Sequence, residues 1–133
     1  MTRTLRKSKA RSANGSYVQL PHSVFLCEAY TTLSAHAVKL LVDLFIQFNG
    51  KNNGDYDVAW KKMQNRGWSS KTLLYRAIRE LEDTGWIIKT REGGKHKCSL
   101  YAITWLPVNE CDGKLDISPT RVAAGTWKHG YEN

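Results

Sequence analysis

Long hydrophobic runs are missing from this chain of 133 residues. The longest apolar stretch, residues 35–48, is interrupted by four polar or charged side chains: His36, Lys39, Asp43 and Gln47. It therefore falls short of the roughly 20 apolar residues that a membrane-spanning helix needs. The N-terminus is basic and has no apolar segment behind it, unlike a secretory signal. We expect a cytoplasmic protein with no transmembrane helix and no membrane partner.

Cysteine is scarce, and the potential metal ligands are scattered. The three cysteines, Cys27, Cys98 and Cys111, are an odd number and form no Cys-x-x-Cys spacing, which argues against a disulfide framework and a zinc ribbon. No histidine stands three or four residues from another histidine or cysteine, the spacing that would place two ligands on one helical face. We expect free thiols and no metal site.

Motifs of common enzymes are also missing. The chain has no GxxxxGK[ST], no GxSxG and no HExxH. The densest acidic group, Glu80, Glu82 and Asp83, is interpreted as the solvated face of a helix end. The sequence therefore predicts no catalytic residues and no cofactor.

Positive charge, by contrast, is abundant and unevenly distributed. The chain has 20 lysines and arginines against 12 acids, which gives a formal net charge of +8. Five bases and no acid fall in residues 1–11, and ten bases against four acids fall in residues 61–97. Such local excess is typical of proteins that bind nucleic acid, although a solvated face with a flexible tail would carry the same charge. The spacing of the hydrophobic and turn residues between the charged ones decides between these two interpretations.

Hydrophobic spacing divides the chain into an arm, a domain and a tail. Residues 1–15 show no periodicity and end at Asn14-Gly15, which indicates a disordered basic arm. Within residues 16–107, Pro21 can begin a short helix and Ser34 is a good N-cap for a main core helix. Residues 108–133 form a polar, turn-rich tail, which the sequence leaves free to pack on the domain or on a second subunit.

The most diagnostic pattern follows a short predicted strand at residues 56–58. A short helix from Trp60 stops at Gly67, and Ser70 caps the next helix, whose stripe of Leu74, Ala77, Ile78 and Leu81 is closed by Gly85. The β-rich stretches 86–91 and 98–105 flank a turn at residues 92–95, which predicts a hairpin. The predicted fold is α+β and mainly helical: a winged helix-turn-helix of three to four helices plus a β-hairpin wing.

This stretch resembles a known family. The run S70-KTLLYRAIRELEDTGWI-I88 is similar to the signature S-x-x-T-x-x-x-A-L-x-x-L-x-x-x-G-L-I of winged-helix DNA-binding proteins. Leu73 stands where the signature has Thr, whereas five other positions are in register: Ala77, Ile78, Leu81, Gly85 and Ile87. Over residues 17–107 the chain resembles small helix-turn-helix proteins of phages, plasmids and other mobile elements, some of them similar to replication initiators. The resemblance implies a transcriptional regulator or a replication-initiation factor.

Three groups of residues are candidates for DNA contact. The face of the second helix opposite its apolar stripe, with the start of that helix, supplies donors suited to bases and phosphates: Ser69, Ser70, Lys71, Thr72, Tyr75, Arg76 and Arg79. The hairpin clusters further donors near its tip: Lys89, Arg91, Lys95, His96 and Lys97. The arm is a third candidate that could follow the minor groove, through Arg3, Arg6, Lys7, Lys9 and Arg11.

Each group has a simpler interpretation. Arg76 and Arg79 could pair with Glu80 and Asp83 one turn further along the helix, and the hairpin tip could be only a soluble turn. We expect sequence-specific binding to duplex DNA in the nucleoid. The alternatives are a winged helix that acts as a protein-interaction adaptor, and binding to RNA. The sequence leaves open whether a homodimer forms.

Overall fold

The computed structural model describes residues 15–128, so the candidate arm with Arg3, Arg6, Lys7, Lys9 and Arg11 lies outside the described residues. The architecture is α+β, as predicted, with helices packed against a two-stranded antiparallel hairpin. The elements in chain order are α1 (His22–Phe25), α2 (Glu28–Thr31), α3 (Ala35–Phe45), α4 (Trp60–Asn65), α5 (Lys71–Asp83), β1 (Ile87–Arg91), β2 (Leu100–Ile103) and a 3₁₀ turn (Cys111–Gly113).

The prediction of three to four helices is corrected, because the first predicted helix is divided into α1 and α2. The backbone leaves the helical conformation at Leu26 and Cys27, where Cys27 is extended and serves as the N-cap residue of α2. The Cys27 thiol donates a hydrogen bond to the Val24 carbonyl oxygen at 2.9 Å, which satisfies an acceptor at the end of α1. No helix in residues 15–128 is long and apolar enough to cross a membrane.

The helices α3 and α5 form where their N-caps and apolar stripes predict them. Ser34 and Ser70 each accept a hydrogen bond at 3.2 Å, from the backbone N–H groups of Ala37 and Leu73 respectively. The predicted stripes face inward, and these two helices pack against each other. A glycine is required after α5, since Gly85 has a φ of +83° and a Cβ there would lie 2.6 Å from the carbonyl carbon of Thr126.

The hairpin pairs Ile87 with Ile103 and Lys89 with Tyr101, and its register shifts between Lys89 and Arg91. The shift leaves Thr90 as a bulge, and its buried hydroxyl donates to the Gly54 carbonyl oxygen at 2.6 Å. The strand predicted at residues 56–58 is reduced to a single bridge to Tyr101. Asn53 connects the loop after α3 to the end of the hairpin. Its side chain is fully buried and donates hydrogen bonds to the carbonyl oxygens of Ile103, Leu106 and Pro107.

Aromatic rings join the helices, the hairpin and the C-terminal stretch into one core. Trp86 is 1% exposed, and its ring centroid lies 6.1 Å from that of Trp105 and 5.3 Å from that of Trp127. The backbone N–H of Gly125 donates to the Thr104 carbonyl oxygen at 2.8 Å. The described part of the tail therefore packs on its own domain, which the sequence had left open.

Candidate nucleic-acid interface

The turn between α4 and α5 is held against α3 by a buried carboxylate. Asp43 of α3 is only 3% exposed, and one of its oxygens accepts from the Trp68 indole N–H at 2.8 Å. Arg66 at the end of α4 binds its other oxygen at 3.0 Å, and Lys39 contacts the same oxygen as Trp68 at 3.3 Å. A buried charge is tolerated only with such partners. Asp43 thereby fixes the residues that lead into α5.

Asp43 is not identified by sequence reasoning, which places it only as an interruption of an apolar stretch. The position of Asp43 in the sequence nonetheless indicates a buried carboxylate. Asp43 follows Leu40 by three residues and directly precedes Leu44, so it lies on the buried stripe of α3. A carboxylate on such a stripe needs donors from elsewhere in the fold, and tryptophan and arginine are suitable ones.

A second contact fixes α5 from its other end. The carboxylate of Glu80 accepts from the backbone N–H of Ser34 at 2.9 Å and from the Ser34 hydroxyl at 2.7 Å. The same serine caps α3, so the C-terminal half of α5 is bound to the start of α3. The inward flank of α5 is therefore occupied, and its opposite face is left to solvent.

The outward face of α5 carries the predicted candidates, and they are exposed. Thr72, Tyr75, Arg76 and Arg79 all belong to this face, and Tyr75 is 58% exposed. Among the described residues, neither Arg76 nor Arg79 forms a hydrogen bond or an ion pair. The alternative interpretation, in which these arginines pair along the helix, does not correspond to the structure. Both guanidinium groups are available to a ligand.

The start of α5 is partly engaged within the protein. The Ser70 hydroxyl caps the helix through Leu73, whereas Ser69 is exposed. The Lys71 ammonium lies 5.7 Å from the centroid of the Trp60 ring, a cation–π contact that holds it beside the helix start. Trp60 is half-buried and so also reaches the surface here.

A cleft of about 380 Å³ connects the face of α5 with the hairpin. Tyr75, Arg79 and Glu82 line it from the helix, and Cys98 and Ser99 line it from the chain that returns from the hairpin tip. Two of the helix candidates, Tyr75 and Arg79, therefore share a cleft with the hairpin. Glu82 is one of the residues that line this cleft. Burial raises the pKa of the Tyr101 hydroxyl, and the negative charge of Glu82 raises it further.

The hairpin tip lies slightly later in the chain than predicted. The tight turn is residues 94–97, not 92–95, because Gly94 and Lys97 exchange two backbone hydrogen bonds of 3.0 and 3.2 Å. His96 adopts the left-handed conformation there, with a φ of +67°. Lys95, His96 and Lys97 are exposed, and none of them has a side-chain partner in residues 15–128. They form the end of the hairpin that is most accessible to a ligand.

The two basic residues on β1 serve the hairpin itself. Lys89 forms an ion pair with Glu92 at 3.1 Å, and this hydrogen bond raises the pKa of its ammonium group. The Arg91 guanidinium donates twice to the Cys98 carbonyl oxygen, at 2.7 and 3.2 Å, across the widened part of the hairpin. Of the five hairpin candidates, the structure thus leaves three without an internal role.

Of the ten basic residues that the structure describes outside α5 and the hairpin tip, five are paired with acids, and five are not: Lys51, Lys61, Arg91, Arg121 and Lys128. Lys39 and Arg66 share Asp43, Lys62 pairs with Asp57 at 2.8 Å, and Lys114 pairs with Asp55 at 3.0 Å. In the part of the chain that the structure describes, five basic residues without an acidic partner lie on α5 and the hairpin tip: Lys71, Arg76, Arg79, Lys95 and Lys97. We call these five residues the free basic set.

The chain matches no family model, and neither a curated protein nor a solved structure is detectably similar to it.

Proposed function

We propose that this protein binds duplex DNA in a sequence-specific manner through the outward face of α5 and the tip of its hairpin. The observation that carries the proposal is the free basic set, which is exposed on α5 and at the hairpin tip, with Arg79 in the wall of the cleft between these two elements. Exposed cations without an acidic partner are what a polyanion can recruit, because binding releases the counterions of its phosphates. The order of α4, turn, α5 and hairpin is compatible with a winged helix.

The charge along α5 indicates how the helix approaches the duplex. Lys71, Arg76 and Arg79 occupy its first nine residues, whereas Glu80, Glu82 and Asp83 occupy its last four. Phosphates therefore attract the first nine residues of α5 and repel its last four. In helix-turn-helix complexes the N-terminal part of the recognition helix contacts base edges in the major groove, where arginine pairs with guanine. Arg76 and Arg79 are assigned that role here.

The hairpin tip is assigned to the DNA backbone. Lys95 and Lys97 lie within the turn, exposed on either side of His96. A flexible ammonium group suits phosphate contact, which positions a protein on DNA without reading sequence. Arg91 is excluded from this role, because its guanidinium group is used within the hairpin.

Two features favour this function over its alternatives. A protein-interaction adaptor would present an apolar patch, but on α5 the exposed large apolar side chain is Tyr75, next to two arginines. RNA duplexes have a deep and narrow major groove that excludes a helix. We therefore propose duplex DNA in the nucleoid as the partner. The resemblance of residues 17–107 to proteins of mobile elements supports a role as a regulator or a replication-initiation factor.

The proposed backbone role of the hairpin predicts a change in salt dependence. The double variant Lys95→Ala, Lys97→Ala should flatten the slope of log affinity against log salt by up to about 2, since each phosphate contact contributes about 0.9. The free energy of unfolding should stay within about 0.5 kcal/mol, because both side chains are exposed and unpaired. Fluorescence anisotropy with duplex fragments from around the protein's own gene measures the slope.

The matched control is the double variant Lys51→Ala, Lys114→Ala, which removes the same charge. Lys51 is exposed in the loop after α3, and Lys114 pairs with Asp55 near that loop, so neither belongs to α5 or the hairpin. Its slope should equal that of the unaltered protein. An equal flattening in both double variants would mean that only net charge matters, and the hairpin would lose its assigned role.

A further inference from the structure

An uncharged groove lies between residues 16–21, which precede α1, and the C-terminal end of α3. It has a volume of about 710 Å³, and its walls include the rings of Phe45, Phe48 and Trp105. None of its lining residues is charged, in a chain with 20 basic and 12 acidic residues. The groove shares no residue with the cleft beside α5. It is therefore a surface that the proposed DNA contact does not use.

Large apolar side chains project from the rim of this groove. Tyr17 is 66% exposed and Ile46 is 49% exposed, and both line it. Val42, one helical turn before Ile46, is 43% exposed, and Leu20 is 53% exposed within the segment that forms the other wall. Contiguous exposed apolar surface of this kind marks an interaction site on a monomer.

Exposed backbone along one wall of the groove bears on the kind of occupant. The backbone of residues 15–20 forms no hydrogen bond with the described part of the chain. Backbone groups of another polypeptide can supply both donors and acceptors, whereas a purely apolar ligand supplies neither. The occupant is accordingly a polypeptide.

We propose that the occupant is a second copy of this chain, so that the groove and its rim form a homodimer interface. A symmetric dimer needs one surface that is complementary to itself, and here the same surface offers both projecting side chains and a cavity to receive them. Two chains of net charge +8 repel each other elsewhere, but they can meet at a surface without charge. The preceding residues 1–14 are a poorer match, because five of them are basic.

Sedimentation velocity in the absence of DNA tests this interface, with the full chain between about 1 and 200 µM, a range that brackets typical micromolar association. We expect the mass to shift from monomer to dimer with rising concentration. Ile46→Glu should raise the dissociation constant at least about tenfold, because a carboxylate would be buried at the interface. Tyr17→Asp, on the opposite rim, should have the same effect. Circular dichroism checks that both variants fold, which is expected from the exposure of the two side chains.

Val122→Glu is the matched control, since Val122 is 76% exposed and does not line the groove. This variant should dimerise like the unaltered protein. The proposal is overturned if the unaltered protein stays monomeric over the whole range, or if Ile46→Glu and Tyr17→Asp dimerise as Val122→Glu does. A monomer whose groove binds a fluorescent apolar dye, and loses it in Ile46→Glu, would assign the groove to another ligand and also overturn the dimer. Because no DNA is present, none of these results bears on the proposed DNA contact.

Discussion

The double variant Arg76→Glu, Arg79→Glu should bind duplex DNA at least about 100-fold more weakly than the unaltered protein. Each lost base contact costs about 1 to 3 kcal/mol, and the new carboxylates also repel phosphates. Neither arginine has a partner among the described residues. The new glutamates stand one turn before Glu80 and Asp83, which costs only a few tenths of a kcal/mol per pair in folding stability. Anisotropy titration and urea denaturation measure the two effects separately.

The corresponding control reverses two charges outside the candidate surface, in the variant Lys51→Glu, Lys114→Glu. Its net charge equals that of the α5 variant, so any difference in affinity reports position rather than total charge. If both variants lose affinity to the same extent, α5 is not the contact surface. Equal losses of the α5 variant on a preferred sequence and on random DNA would reassign the two arginines from bases to phosphates.

A second large effect is expected on stability, from Asn53→Asp. The buried amide nitrogen of Asn53 donates to the carbonyl oxygens of Ile103, Leu106 and Pro107 at 2.9 to 3.2 Å. A carboxylate would place a charged oxygen against these three acceptors without a donor between them. We expect a loss of about 3 to 4 kcal/mol in the free energy of unfolding at neutral pH, measured by urea denaturation.

The pH dependence of this loss has a definite sign. Burial and the facing carbonyls would raise the pKa of Asp at position 53 in the folded state above its unfolded value of about 3.9. The protonated carboxyl can donate one hydrogen bond, so the deficit is smallest at acidic pH and grows as pH rises through the folded pKa. Asn65→Asp, at an exposed position at the end of α4, is the control and should cost about 0.5 kcal/mol or less. A similar loss in both variants would refute the role given to Asn53.

The parts of the fold that depend on neighbouring residues could be predicted from the sequence. Ser34 and Ser70 sit directly before apolar stripes of helical period, and each caps a helix as expected. Gly85 ends α5 as expected, because the left-handed conformation is cheap only for glycine. The division between α1 and α2 was not predictable, since it depends on how Val24 and Ala29 are each buried in the core.

The parts that depend on distant residues could not be predicted. Asn53 finds its partners about 50 residues away, and Asp43 finds Trp68 25 residues away. The sequence placed basic residues on α5 and the hairpin, but it could not separate Arg91, which braces the hairpin, from Lys95 and Lys97, which are unpaired. That separation needs the positions of carbonyl and carboxylate oxygens across the fold. Only with this distinction between paired and unpaired side chains can a basic region be reduced to specific candidate residues.

The salt dependence of DNA binding by the unaltered protein tests the central claim most directly. Affinity for duplex fragments from around its own gene is measured by anisotropy over a range of salt concentrations. If Lys71, Lys95 and Lys97 contact phosphates while Arg76 and Arg79 contact bases, log affinity should fall against log salt with a slope of about −3 from these lysines. Absence of binding above background, or a slope near zero, would contradict the account.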